Sequence, residues 1–225
     1  MTPADARAAD EIRLDFARGE RVGVGEAIFC AGKSAGQLAA ILDAAAERQA
    51  RFLLTRLSVE AHAALPDRHR GGLDYDPVSR TAFFGGAPAA GRGGVVAVVA
   101  AGTSDAPAAR EAERTLRFNG VAPTMIFDVG VAGLWRLLER VEEIAAHRVV
   151  IAAAGMDAAL PTVLGGLVPG VLIALPTSTG YGVARNGETA LAAVLASCAP
   201  GIVAVNIDNG YGAAVAALRA VRPLP

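Results

Sequence analysis

Two kinds of residue in this 225-residue chain carry usable chemistry. One is Cys198, in "LASCAPGIVAVNIDNG" (195–210), where a small-residue helix gives way to an apolar run. A thiolate is a strong nucleophile and a good leaving group near neutral pH. A free cysteine is more often a small buried hydrophobe, and composition alone favours that fate for Cys198. The other kind is a set of aspartates. In residues 93–225 they are Asp105, Asp128, Asp157 and Asp208, in "AGTSD", "IFDVG", "AAGMD" and "NIDNG". Each closes or follows an apolar run, whereas Glu111, Glu113, Glu139, Glu142, Glu143 and Glu188 fall in helical stretches. An aspartate there can simply cap the next helix, which suits Asp105 and Asp157. It suits Asp128 and Asp208 less, since Val-Gly and Asn-Gly follow them. Carboxylates gathered on one rim need a cation, a proton or ligand hydroxyls to offset their repulsion. Ser104, Thr177, Ser178, Thr179, Tyr181, Asn206 and Asn209 lie in the same segments. Such a hydroxyl- and amide-rich floor suits a sugar phosphate or a nucleotide.

The elements that must position these residues follow from the apolar pattern. "VVAVVAAG" (95–102), "TMIFDVG" (124–130), "VVIAAAG" (149–155), "VLIALPTS" (171–178) and "IVAVNIDNG" (202–210) are short runs without alternation. Runs of that kind fit strands buried on both faces, as in a parallel sheet. Helical stretches separate them at 106–118, 133–146, 158–167 and 187–197, and a last one follows at 211–221. The expected fold is therefore α/β, a doubly wound parallel five-stranded sheet. Ligands of such sheets bind at the carboxyl ends of the strands, near a switch point. Glycines before the helices in "AGTSD", "PTSTGYG" and "NGYGAA" would free backbone amides for phosphate. No G-x-G-x-x-G follows the first strand of this part, so the usual dinucleotide fingerprint is missing. Residues 1–92 read as a smaller mixed region, with a helix at 36–50, a strand within 51–58 and a loop-rich linker over 65–94. The boundary is placed near residue 92, which leaves 93–225 as the larger α/β domain.

Composition excludes several classes. The net charge of −1 gives no footprint for nucleic acid or an anionic membrane. The longest apolar stretch, 163–176, is broken by Gly165, Gly166, Pro169 and Gly170, so no membrane span is expected. The charged N-terminus lacks a signal-peptide core, and a cytoplasmic location with reduced thiols is the expectation. Cys30 and Cys198 form neither a C-x-x-C nor a zinc pattern. "AGKSAG" (31–36) imitates the end of a phosphate-binding loop, but Ala27 stands where the motif needs glycine. His62, His69 and His147 do not follow the strand ends, which argues against a Ser-His-Asp hydrolase. Trp135, in "GLWRLLERVEEI", reads as a packing residue rather than a ligand platform.

Six ordered motifs carry a resemblance: "GTSD", "DVGVAGLWRLL", "AGMDAALPTVLGGL", "LPTSTGYG", "LASCAPG" and "VNIDNGYGAA". Together they resemble the LarB family, the carboxylase/hydrolases that open synthesis of the nickel-pincer nucleotide cofactor of lactate racemase. The C-terminal part is similar to PurE, the aminoimidazole ribonucleotide mutase/carboxylase, whose sheet has flavodoxin-like order. "LDFARGERVGVGEAIFCAGKSAGQLAAIL" and "LLTRLS" also look like the LarB N-terminal region.

The resemblance implies that nicotinic acid adenine dinucleotide is carboxylated by CO2 at C5 of its pyridinium ring. Hydrolysis of the phosphoanhydride then releases AMP and leaves pyridinium-3,5-biscarboxylic acid mononucleotide. It also implies that Cys198 is the nucleophile and that Asp157 is the base. Asp157 could instead hold, with Asp208, a magnesium ion that assists hydrolysis. Ser104 and Asp105 would occupy the phosphate and ribose loop. Asp128, Thr177, Ser178 and Tyr181 would line the substrate site, and Asn206, Asp208 and Asn209 the carboxylate or metal site. A homo-oligomer, an octamer in the PurE manner, is implied as well. Three positions depart from the family pattern: Trp135 stands for an expected His, Asp157 for Glu and Ala196 for Asn. A PurE-type carboxylase and a nucleotide-binding member without turnover remain as alternatives. Cys198 precedes the last strand, so the sheet places it toward the edge opposite the rim. A neighbouring subunit, or another path of the preceding helix, would have to close that gap.

Overall fold

The computed structural model describes residues 11–89 and 91–222. The signal-peptide reading rests in part on residues 1–10, which lie outside them. The chain divides into two units, 1–88 and 89–225, each with its own sheet.

In the C-terminal unit the apolar runs are strands: β5 (Arg92–Ala100), β6 (Val121–Ile126), β7 (Val149–Ala154), β8 (Val171–Pro176) and β9 (Val203–Ala204). All pair in parallel, in the order β6-β5-β7-β8-β9. Every residue of β7 is buried, the burial that a continuous apolar run predicts for a strand covered on both faces. Numbered along the unit the order is 2-1-3-4-5, the flavodoxin-like arrangement, with its switch point between β5 and β7.

Helices α5 (Ala106–Phe118) and α10 (Gly210–Val221) cover one face of this sheet. They approach closely: a Cβ on Gly210 would stand 2.4 Å from the Ala108 carbonyl oxygen. The Gly210 N–H donates to buried Glu111 at 2.9 Å and fixes that crossing. The other face is covered by α6 (Leu134–Leu138), α7 (Val141–Ala145), α8 (Ala159–Gly165) and α9 (Glu188–Leu195). Leu137, Ile144, Leu160, Leu164 and Val194 from these helices join Val99, Val150 and Leu172 in one core.

Three expectations for this unit need correction. The run expected at 124–130 is strand only to Ile126, and its strand starts earlier, at Val121. The single helix expected at 133–146 is two short ones, broken where Glu139 and Arg140 leave the helical ladder. Each piece anchors itself with one buried residue, Leu137 or Ile144. The run at 202–210 is strand only at Val203–Ala204, because its remaining residues turn into the rim.

The N-terminal unit has the short helix α1 (Arg18–Val22), β1 (Ala27–Phe29), α2 (Ala35–Glu47), β2 (Phe52–Thr55), short helices α3 (Val59–Ala63) and α4 (Asp67–Arg70), β3 (Asp74–Asp76) and β4 (Thr81–Phe84). Its sheet order is β1-β2-β4-β3, with β1 and β2 parallel and the rest antiparallel. "AGKSAG" is a helix start: the Ser34 hydroxyl accepts from the Gln37 N–H, and the Gln37 side chain accepts from the Ser34 N–H. The segment read as loop-rich, 65–94, contains the β3–β4 pairing. Asp74-Tyr75-Asp76 has little intrinsic strand preference and is extended because it pairs with Ala82 and its neighbours. Among the described residues no helix is long and apolar enough to cross a membrane.

Candidate active site at the strand-end rim

The five strands release their chains on one rim, and four of the resulting loops are strained. Every non-glycine residue of positive φ described in this unit lies there: Asp128, Met156, Ala158, Arg185, Asn186 and Asp208. Each costs on the order of 1–2 kcal/mol, and strain of this kind gathers at functional sites. The loops hold one another in place. Asp105 is buried; one carboxylate oxygen accepts the Gly102 N–H at 2.9 Å and the other the Thr177 hydroxyl at 2.6 Å. The Met156 N–H donates to the Thr179 carbonyl at 2.8 Å, and the Thr179 hydroxyl to the Ser104 carbonyl at 3.1 Å. Asp208 donates its N–H to the Pro176 carbonyl at 2.8 Å and accepts the Ser178 N–H at 2.9 Å. Gly155 is needed for this contact, since a Cβ there would stand 2.4 Å from the Thr179 carbonyl oxygen.

These bonds sort the residues singled out in the sequence. Asp105, Thr177 and Asp208 tie loops together. Asn209 caps α10 by accepting the Gly212 N–H at 2.8 Å. Asn206 accepts the N–H of Ile207 at 2.9 Å from an exposed position. Ser104, Asp157, Ser178 and Tyr181 are exposed and face outward from the frame. The capping expected of Asp105 and Asp157 is not what these side chains do. Asp105 bonds back to Gly102 without capping α5, and Asp157 reaches the Ala159 N–H at only 3.4 Å. Asp157 therefore presents a carboxylate that is little engaged.

Asp128 is exposed at the end of β6 and pairs with Arg136 at 2.5 Å. Arg136 escaped the sequence reading, because nothing in "GLWRLL" signals that its side chain turns back to the strand end. The pair brings a guanidinium to the rim, a group that recognises phosphate and carboxylate.

Cys198 is exposed, but not on this rim. It lies in the turn between α9 and β9. Its neighbour Ser197 accepts from the Thr162 hydroxyl of α8 at 2.8 Å, and Ala199 packs against Gly165 at the end of α8. α8 starts at the rim and runs back, so Cys198 stands toward the amino edge of its own sheet. Cys30, in the other unit, is buried, and burial pushes its thiol up to about 12. Among the described residues no group of three or more His, Cys, Asp or Glu side chains could hold a metal ion.

A five-stranded sheet of this order with a polar strand-end rim is shared by many proteins, and the comparisons narrow it. A model described as AIR carboxylase matches residues 95–223, and one described as LarB/PurE-like N-terminal domain matches 7–85. The chain belongs to the AIR carboxylase family, as a LarB-type member. The uncharacterized protein MJ0165 of Methanocaldococcus jannaschii is 45% identical over 124 residues, 54% of this chain and 47% of that protein. The match thus spans about half the length of that relative.

Proposed function

We propose that this protein carboxylates nicotinic acid adenine dinucleotide at pyridinium C5 and hydrolyses its phosphoanhydride. The observation that carries the reading is that a LarB-type chain exposes both a thiol, Cys198, and a little-engaged carboxylate, Asp157. A pyridinium C5 is electron-poor and cannot attack CO2. Addition of the Cys198 thiolate at C4 forms a C–S bond and turns C5 into an enamine carbon. That carbon attacks CO2 and gains a carboxylate. Asp157 then takes the C5 proton, the C–S bond breaks, and the ring regains its aromatic cation. Attack of water on the diphosphate separates AMP from the dicarboxylated mononucleotide. Ser104 and Arg136 would bind phosphate or carboxylate oxygens. Ser178, Tyr181 and Asn206 would contact the sugar and the ring carboxylate. Magnesium commonly binds through one or two carboxylates together with substrate phosphates, so Asp157 is the residue that an ion carried on the diphosphate would meet.

Cys198 and Asp157 lie toward opposite edges of one sheet. The reading therefore requires a homo-oligomer in which the thiol of one copy serves the rim of another. The test is to incubate the protein with the dinucleotide, bicarbonate and magnesium and to assay AMP and a product with an added carboxylate. Both are expected from the wild type and neither from Cys198→Ala. A folded wild type that yields neither overturns the proposal. Turnover of aminoimidazole ribonucleotide that survives Cys198→Ser would point to PurE-type chemistry instead.

A further inference from the structure

We infer that Trp135 is a stacking platform for the pyridinium ring of the ligand, an inference that rests on the function proposed above. The sequence suggests a packing role for Trp135, but the structure leaves it 63% exposed. Packing of α6 is done on another face, by Leu137, which is fully buried. The backbone carrying the indole is fixed. The Val129 N–H donates to the Ala100 carbonyl of β5 at 3.3 Å, and the Gly133 N–H to the Gly130 carbonyl at 3.0 Å. The next residue, Arg136, is held back against Asp128 at the end of β6.

Helical side chains lean toward the start of their helix. α6 begins just past the rim turn Val131–Gly133, so the indole leans toward the rim. That turn also packs against α8, the helix that follows Asp157. Trp135 thus stands on the side of the rim that carries the proposed base, one residue from Arg136, whose guanidinium suits phosphate. Indole is the best aromatic partner for a cation, and a pyridinium ring is both flat and cationic. Leu138, three residues on and 50% exposed, adds apolar surface on the same helix face. The specificity that follows is for the charged pyridinium over the neutral adenine.

Trp135 is the only tryptophan of the chain, so its emission reports on the site directly. The full-length protein is titrated with nicotinic acid adenine dinucleotide, nicotinic acid mononucleotide and AMP, with binding followed in parallel by calorimetry. Saturable quenching by both pyridinium nucleotides, at the calorimetric half-point and with little response to AMP, is expected. Trp135→Leu should raise half-saturation about tenfold, and Trp135→Phe by about threefold, with the loss in KM rather than kcat. Calorimetric binding without quenching overturns the inference and leaves the proposed function standing. Emission that follows protein concentration instead of ligand also overturns it, by showing that a second copy covers the ring. Quenching without carboxylation would keep the platform and overturn the proposed reaction. Absence of any binding would remove both.

Discussion

Replacing Thr177 by Val removes one hydroxyl from the rim at almost unchanged volume. That hydroxyl donates to Asp105 at 2.6 Å, and both residues are buried. Water cannot easily replace the lost donor, so one oxygen of the Asp105 carboxylate is left without its partner. A buried hydrogen bond to a charged group contributes about 1.5–3 kcal/mol. For a unit of this size each kcal/mol moves Tm by about 3 °C, so the expected fall is about 4–9 °C. Urea unfolding of the full chain, followed by circular dichroism, gives the free energy. Thr177→Ser keeps the donor and loses one methyl group, and its cost should stay below about 1.5 kcal/mol. The same bond sets the spacing between the Ser104 and Ser178 loops, so Thr177→Val should also weaken nucleotide binding. A Thr177→Val protein within about 0.5 kcal/mol of wild type would refute the reasoning. Asp105 would then have no structural need of Thr177.

Alkylation with iodoacetamide in the native state should modify Cys198 and spare Cys30, whose thiol is buried and pushed up to about 12. Equal labelling, read by peptide mass spectrometry, would contradict the assigned burial. Gly210→Ala should cost more than about 2 kcal/mol, because the new methyl would meet the backbone of α5 at Ala108 and Ala112; its urea midpoint tests this. In the N-terminal unit His62 stacks on Tyr75 with ring centroids 4.1 Å apart, and its Nε2 is buried without a partner. Burial first, then the charge of Arg70, lowers its pKa below 6.5. The unfolded chain then binds the proton more readily, so this contribution to stability is present above about pH 6.5 and declines below it. His62→Phe should flatten that slope in urea midpoints taken from about pH 7.5 to pH 5, and an unchanged slope would assign it elsewhere. Mixing inactive Cys198→Ala with inactive Asp157→Ala and allowing subunits to exchange should restore part of the turnover if thiol and base come from different copies. No recovery despite verified exchange would count against the shared site.

The sheet was legible because strands covered on both faces need unbroken apolar runs, and β7 and β8 keep them, as does the second half of β5. It also placed Asp105, Asp128, Asp157 and Asp208 at strand ends. What each carboxylate does was not legible. Asp105 looks like a cap from its position, but the partner that fixes it is Thr177, 72 residues away. Asp128 stands at a strand end as expected, but its partner there, Arg136, makes a return contact without a local signature. The β3–β4 pairing was hidden for a related reason, since Asp74-Tyr75-Asp76 is extended through its partner strand and not by its own preference. The position of Cys198 away from the rim did follow from topology alone, because it precedes its strand.

The central claim is that the Cys198 sulfur bonds to the pyridinium ring, and peptide mapping tests it most directly. The protein is mixed with nicotinic acid adenine dinucleotide in CO2-free buffer, quenched and digested, and its peptides are weighed. The account predicts a nucleotide adduct on the peptide containing Cys198, lost when bicarbonate is supplied and absent from Cys198→Ala. An unmodified Cys198 peptide, together with undiminished turnover by Cys198→Ala, would contradict it.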